Sequence, residues 1–106
     1  LLFYNTSSRR YKENIKDMSD GVLDKIKQAR VVTFDEKGTD VSSYGLIAEE
    51  LDELIPELVT KKEIDGELVP DSIVYSKIGV WVLKAIQEQQ TQIEAMQLEI
   101  DNLKKS

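Results

Sequence analysis

The chain has 106 residues, 41% of them hydrophobic, and its formal charge is −6 from 20 acidic and 14 basic residues. This size suits one domain, and an acidic chain repels nucleic-acid phosphates and anionic membranes, so neither is an expected partner. Because cysteine and histidine are both absent, the sequence excludes disulfides, ordinary zinc sites and histidine-based catalysis. No metal and no cofactor are expected.

The first part of the chain predicts an irregular segment followed by a helix. Leu1–Tyr4 is apolar without a local partner pattern, so it is interpreted as the last strand of an upstream domain. Residues 7–18 are polar and show no period. A helix is predicted to begin at Ser19–Asp20. Its apolar face carries Val22, Leu23, Ile26 and Ala29.

A first β-hairpin and a short helix are predicted next. Residues 30–34 are β-branched and aromatic, which favours a strand, and a polar turn over residues 35–40 separates them from a return strand at 43–47. Residues 48–55 then carry apolar side chains at helical spacing. This amphipathic helix is expected to end before Pro56.

A second turn precedes the last helix. Residues 57–64 have a mixed pattern, and Asp65–Gly66 is a strong signal for a hairpin turn. Residues 70–72 are expected to lead into a long helix over Ile73–Lys105. The upper part of this helix, up to Ile86, is apolar on most sides, which predicts burial in a core.

Beyond that point the helix has a heptad pattern. The a and d positions are filled by Ile86, Gln89, Ile93, Met96, Ile100 and Leu103. This seam predicts a left-handed supercoil with copies of the same chain. In this register Glu99 lies at g and Lys104 at e, which favours a parallel arrangement. The residues leave dimer and trimer open, and a helix that folds back on its own domain is the alternative.

A serine and a lysine near the start of the chain are the candidate catalytic residues. Ser7 and Lys12 are five positions apart, and an offset of five turns through about 140° in a helix, so they can meet only if the chain bends or across subunits. A lysine amine can serve as the base for a serine nucleophile when burial or neighbouring cations favour its neutral form. Arg9 and Arg10 could supply part of that effect.

Three blocks of this sequence resemble the C-terminal intramolecular chaperone domains of phage tailspikes, tail fibres, neck appendages and endosialidases. The first block is Ser7, Arg10, Lys12 and Ile15. The second runs from Tyr44 through Gly45-Leu46-Ile47-Ala48 to Ile55-Pro56-Glu57-Leu58-Val59. The third comprises Tyr75 and residues 82–88. The resemblance covers nearly all of residues 5–90 in the expected order.

The resemblance implies a single-turnover, self-cleaving serine endopeptidase with a serine–lysine dyad. It assigns Ser7 as the nucleophile, Lys12 as the general base and Thr6–Ser7 as the bond that is cut. Ser8 lies four residues before Lys12 and is the other candidate nucleophile, but the family spacing favours Ser7. Arg10 supports the dyad, and Asn14 either orients Lys12 or makes a loop hydrogen bond. Cleavage within one chain and cleavage between subunits both stay open.

The resemblance also implies what the domain does. It implies a homotrimer that assists folding of an upstream β-structured viral fibre or tailspike in the host cytoplasm and is then released. The expected fold is α+β, with short strands and helices around a trimer axis and a long C-terminal coiled-coil helix. Residues 1–6 would end the upstream stem, 7–71 form the globular chaperone part, and 72–106 form the helix. The alternative function is a non-catalytic oligomerisation module.

Overall fold

The computed structural model describes residues 6–105, which adopt an α+β fold, as predicted. The prediction for the upstream stem falls, apart from Thr6, outside the described residues. Within the described residues, two antiparallel hairpins alternate with three α-helices. The elements are α1 (Val22–Ile26), β1 (Val32–Asp35), β2 (Ser42–Gly45), α2 (Ala48–Leu54), β3 (Val59–Ile64), β4 (Glu67–Ile73) and α3 (Tyr75–Lys104).

The first helix is shorter than its apolar pattern predicts. It begins at Val22 rather than at Ser19–Asp20, because Gly21 has a φ of 98°, which lies outside the helical region and is open mainly to glycine. It ends at Ile26, so Ala29 lies beyond the helix. Both Ile26 and Ala29 nevertheless pack against the main core.

Both hairpin predictions are confirmed. β1 pairs with β2, and β3 pairs with β4 through a turn in which Asp65 and Gly66 have φ values of 53° and 81°. Two consecutive positive φ values are those of a type I′ turn, for which Asp-Gly is a favoured pair. Residues 70–72 lie in β4, which ends at Ile73, so the last helix begins at Tyr75 rather than at Ile73 as predicted. Pro70 is tolerated because the two-stranded sheet consists of edge strands.

The core forms where α2 meets the start of β3. Leu51, Ile55, Leu58 and Val59 are its buried members. Pro56 ends α2 and opens a single 3-10 turn, which directs Leu58 back toward the helix. Residues 48–59, which comprise the predicted amphipathic helix and the turn after it, therefore supply the centre of the domain.

The long helix packs on the domain with one face and projects beyond it. Its 30 residues span about 45 Å. Ala85 is buried, and Ile78 and Trp81 are partly buried against the core, whereas Val80 and Leu83 are about 60% exposed. This upper part was predicted to lie within a core. In the single chain the prediction is wrong for the outer face, because the small core contacts only one side of the helix. Among residues 6–105, no helix is long and apolar enough to cross a membrane.

Candidate active site

A tight bend brings the two candidate catalytic residues together. After Ser7, residues Arg9–Tyr11 form one 3-10 turn, in which the amide of Tyr11 donates to the carbonyl of Ser8. The amide of Lys12 donates in turn to the carbonyl of Arg9. This turn reverses the chain, so the lysine side chain reaches back over the serine from which it is separated by five positions.

The amine of Lys12 contacts Ser7 at two atoms. Its Nζ lies 2.5 Å from the Oγ of Ser7 and 2.9 Å from the carbonyl oxygen of the same residue. A nucleophilic hydroxyl within direct reach of an amine is the geometry that general-base activation requires. The pair is therefore arranged so that a proton can pass from the hydroxyl to the amine without a bridging group.

The two neighbouring serines have different hydrogen-bond partners. The Oγ of Ser8 caps the 3-10 turn, where it accepts from the amide and from Nη1 of Arg10, both at 3.4 Å. Serine is a preferred residue at this capping position, because its oxygen satisfies an amide that the turn leaves open. Ser8 thus serves the turn, while Ser7 faces Lys12.

Arg10 is fixed against its neighbour. Its Nη2 donates to the hydroxyl of Tyr11 at 3.1 Å, and its guanidinium carbon lies 4.7 Å from the centre of that ring. Both contacts hold the cation beside the bend. Arg10 is the predicted supporting residue, and the structure brings it to the turn through Ser8 and Tyr11 rather than through Lys12.

Asn14 has a conformational role in the structure. Its φ is 54°, in the left-handed region that asparagine adopts more readily than most residues. Within residues 6–105 it makes no hydrogen bond to Lys12. The residue therefore bends the chain just after the lysine, and neither of the two hydrogen bonds considered for it is formed with any of residues 6–105.

The site is open to solvent in the single chain. Thr6, Ser7, Arg10 and Lys12 are all exposed, and Ser8 is half-buried. Exposure to water favours the charged form of an amine, whereas a base must be neutral. Within the described part of the chain, no group of acidic side chains is arranged to hold a metal ion. The described residues thus leave the bend uncovered.

A glycine and a tyrosine from different blocks of the sequence meet near the first hairpin. The hydroxyl of Tyr75 accepts the amide of Leu46 at 3.0 Å. A Cβ on Gly45 would lie 2.6 Å from that hydroxyl oxygen, so no larger residue fits without a shift. The sequence analysis placed Tyr75 in the third block, but no local pattern signals its hydrogen bond across 29 positions.

Two further residues missed by sequence reasoning join α1 to α3. The carboxylate of Glu88 accepts the amides of Gly21, Val22 and Leu23 at 2.7, 3.0 and 3.1 Å. Lys84, one helical turn earlier, binds the Oδ1 of Asp20 at 2.9 Å. Both belong to the third block, but a separation of more than 60 positions leaves no signal of these contacts in the sequence.

The predicted seam residues lie on the exposed side of α3. The exposed fractions of Ile86, Ile93, Met96 and Ile100 lie between 46% and 54%. Gln89 and Leu103, the other two predicted members, are exposed as well. In the single chain this seam is an apolar stripe along the projecting helix, and it is continuous with the exposed upper face.

Comparison with known proteins finds similarity over most of the chain. A model of the family described as chaperone of endosialidase matches residues 7–60, from Ser7 to the start of β3. The long tail fiber proteins Gp37 of Enterobacteria phage M1 and of Enterobacteria phage Ox2 are each 32% identical to the chain over 99 residues. The similarity covers 88% of this chain and 39% of each relative, so the chain spans well under half their length.

Proposed function

Because the chain belongs to the peptidase S74 family, described as chaperone of endosialidase, we propose that it is the C-terminal chaperone of a phage fibre and cuts itself from that fibre. The observation that carries the proposal is the contact between Lys12 Nζ and Ser7 Oγ, 2.5 Å apart, at the residue where the family match begins. The bond that is cut is Thr6–Ser7. Each molecule reacts once.

The reaction needs no group from outside the bend except water. The neutral amine of Lys12 takes the hydroxyl proton of Ser7 while Oγ attacks the carbonyl carbon of Thr6. The carbon–nitrogen bond breaks, and the amine of Ser7 receives the proton that Lys12 carries. The acyl group has then moved from nitrogen to oxygen. Water hydrolyses this ester, which leaves a carboxylate on Thr6 and a free amino group and hydroxyl on Ser7.

The solvent exposure of the dyad links cleavage to assembly. The bend is exposed to water in the isolated chain, and packing of another surface would exclude that water, which favours the neutral amine that a base requires. Arg10, held beside the bend by Tyr11, adds a second positive charge next to the dyad. The timing of the cut is thereby set by the packing of subunits or of the upstream stem.

The proposed assembly is a parallel homotrimer through α3. Each half-exposed seam side chain contributes about 1 kcal/mol to the stability of the assembly when it becomes buried. The exposed Val80, Val82 and Leu83 extend this apolar surface toward the domain. A helix of 30 residues with this stripe on one side is stable as part of a bundle. The trimer axis therefore lies along the seam.

A trimeric clamp explains how such a domain assists folding. An intertwined stem requires three chains to find a common register, and closing long loops between them is slow. Joining the three C-termini raises their effective concentration for one another. Removal of the clamp after assembly leaves a product that is kinetically trapped, because unfolded stem chains can no longer be brought back together. This would occur in the host cytoplasm during virion assembly.

The test is the intact mass of a longer chain that includes the upstream stem. The wild type should yield two fragments, and the smaller one should begin at Ser7. Ser7→Ala should leave one uncut chain. So should Lys12→Arg, because an arginine keeps the positive charge but does not give up its proton. Ser8→Ala tests the other serine and should still be cut, more slowly than wild type, because it loses the cap of the turn but keeps the Ser7 hydroxyl.

The alternative, an oligomerisation module without chemistry, predicts a different result. In that case the wild-type chain would assemble and show a single uncut mass. Cleavage in Ser7→Ala together with loss of cleavage in Ser8→Ala would instead move the nucleophile by one residue and refute the assignment of Ser7.

A further inference from the structure

The segment that joins the bend to the body of the domain has little to hold it. Residues 13–19 are exposed and form neither helix nor strand. Within the described part of the chain they make no hydrogen bond. The position of the bend relative to the fold is therefore decided by the contacts that fix the far end of this segment, at Asp20 and Gly21.

One side chain of α3 fixes the first turn of α1. The three amides at its start, from Gly21 to Leu23, point at the carboxylate of Glu88, and no side chain near the start of α1 caps them. Hydrogen bonds from amides to a carboxylate are stronger than those between neutral groups. Glu88 thus replaces the missing cap and attaches α1 to the long helix.

A second contact lies one turn earlier on the same face. The side chain of Lys84 is 21% exposed and its Nζ binds Asp20, the residue just before Gly21. The hydrogen bond that Lys84 donates to Asp20, and then the negative charges of Asp20, Glu88 and Asp17, raise the pKa of Lys84. The lysine stays charged under ordinary conditions, and it draws the end of the exposed segment onto α3.

Both residues lie on the turn of α3 where the seam begins but on the opposite face of the helix, because an offset of two residues turns through about 200°. Ile86, the first predicted seam position, is two residues from each of them, so the turn of α3 that holds the segment also begins the apolar stripe. A shift of this turn when subunits associate would move the end of the segment with it. Since the segment continues to Lys12, the contact joins the assembly helix to the candidate active site.

We propose that Lys84 and Glu88 are positioning residues that anchor the cleavage segment to the assembly helix, so that the Ser7–Lys12 bend occupies one fixed place in the assembled protein. Neither touches the reacting atoms. The inference rests on the proposed self-cleavage. A misplacement of about 1 Å is enough to slow a reaction about a hundredfold, so loss of the anchor should slow the cut while assembly continues.

The experiment measures the cleavage rate in pulse-labelled, cell-free synthesis of the longer chain with its stem. Glu88→Gln should cut at least about tenfold more slowly than wild type, because the amide carries no charge and has one acceptor oxygen instead of two. Glu94→Gln, on the exposed part of the same helix, is the matched control and should cut at the wild-type rate. Lys84→Met should be slow, and Lys84→Arg should restore most of the rate.

Two readouts separate positioning from a loss of structure. Hydrogen exchange of the assembled Glu88→Gln protein should increase at Gly21, Val22 and Leu23 but not at the core residues 51–59. The dependence of the rate on pH should keep its midpoint, because Lys12 remains the base. Asp20→Asn serves as a second, milder variant, since the side chain of Asp20 is 88% exposed and its replacement cannot disturb the core.

The outcomes are distinct from those of the proposed function. If wild type does not cut itself, the proposed function fails. If wild type cuts and Glu88→Gln and Asp20→Asn both cut at the wild-type rate, the anchoring inference is overturned while the proposed function stands. If Glu88→Gln does not assemble, the slower cutting of assembled Asp20→Asn supports the inference and an unchanged rate refutes it.

Discussion

Gly45→Ala is expected to destabilise the domain for a purely steric reason. Its φ is not in the left-handed region, so the substitution brings no backbone strain. The new Cβ would instead lie 2.6 Å from the hydroxyl oxygen of Tyr75, about 0.8 Å closer than ordinary contact. To relieve the clash, the tyrosine or the hairpin must move, and the hydrogen bond from the amide of Leu46 is then lost.

The cost of this change follows from two contributions. Overpacking of this kind typically costs about 1–3 kcal/mol, and a lost hydrogen bond about 0.5–1.5 kcal/mol. Because Tyr75 is 53% exposed, water can replace the lost partner and the ring can shift. A total of about 1–3 kcal/mol is therefore expected, equivalent to a fall in Tm of several degrees.

A double-mutant cycle measured by thermal unfolding at fixed protomer concentration tests this reasoning. Tyr75→Phe removes the clashing oxygen, so it should destabilise the wild type slightly but restore stability in the Gly45→Ala background. Gly79→Ala is the control, because nothing lies within 4 Å of its Cβ and alanine favours a helix. Additive costs at positions 45 and 75, or a Gly45→Ala protein as stable as wild type, would refute the steric account.

Two further predictions concern charge and assembly. The bidentate contact of Arg30 lowers the pKa of Glu50. The ion pair therefore stabilises the fold above the ordinary pKa range of glutamate, and this stabilisation is lost as pH falls through the lowered pKa. Glu50→Gln should have a lower Tm than wild type at pH 7, and a difference that persists at about pH 2 would contradict this. Ile93→Lys should dissociate the assembly in analytical ultracentrifugation, because Ile93 is a seam residue. Leu98→Lys is the control and should not dissociate it, since Leu98 is exposed but lies off the seam. Dissociation by both variants would refute the predicted register.

Local patterns predicted the elements that depend on neighbouring residues. The Asp65–Gly66 pair predicted its turn, because the two positive φ values that the turn requires fall on these two residues. The helix over residues 48–54 followed from its apolar spacing and from Pro56. The length of α1 was not predicted, since nothing in the sequence pattern shows that Gly21 adopts a left-handed conformation, which delays the start of the helix.

Contacts between distant residues could not be predicted. Glu88 lies 65 to 67 positions from the amides that it accepts, and its neighbours on α3 give no reason to expect a cap for another helix. The spacing of Ser7 and Lys12 alone was equally uninformative. The bend depends on Ser8 as a cap, and a serine at that position is compatible with many other conformations.

The most direct test of the central claim is to trap the ester that the Ser7 hydroxyl is proposed to form. Hydroxylamine added during assembly of the longer chain attacks an ester far faster than a peptide bond. The account predicts an upstream fragment that ends in a hydroxamic acid at Thr6, in proportion to the hydroxylamine present, and none from Ser7→Ala. An upstream fragment that carries only a free carboxylate at every hydroxylamine concentration would contradict attack by Ser7.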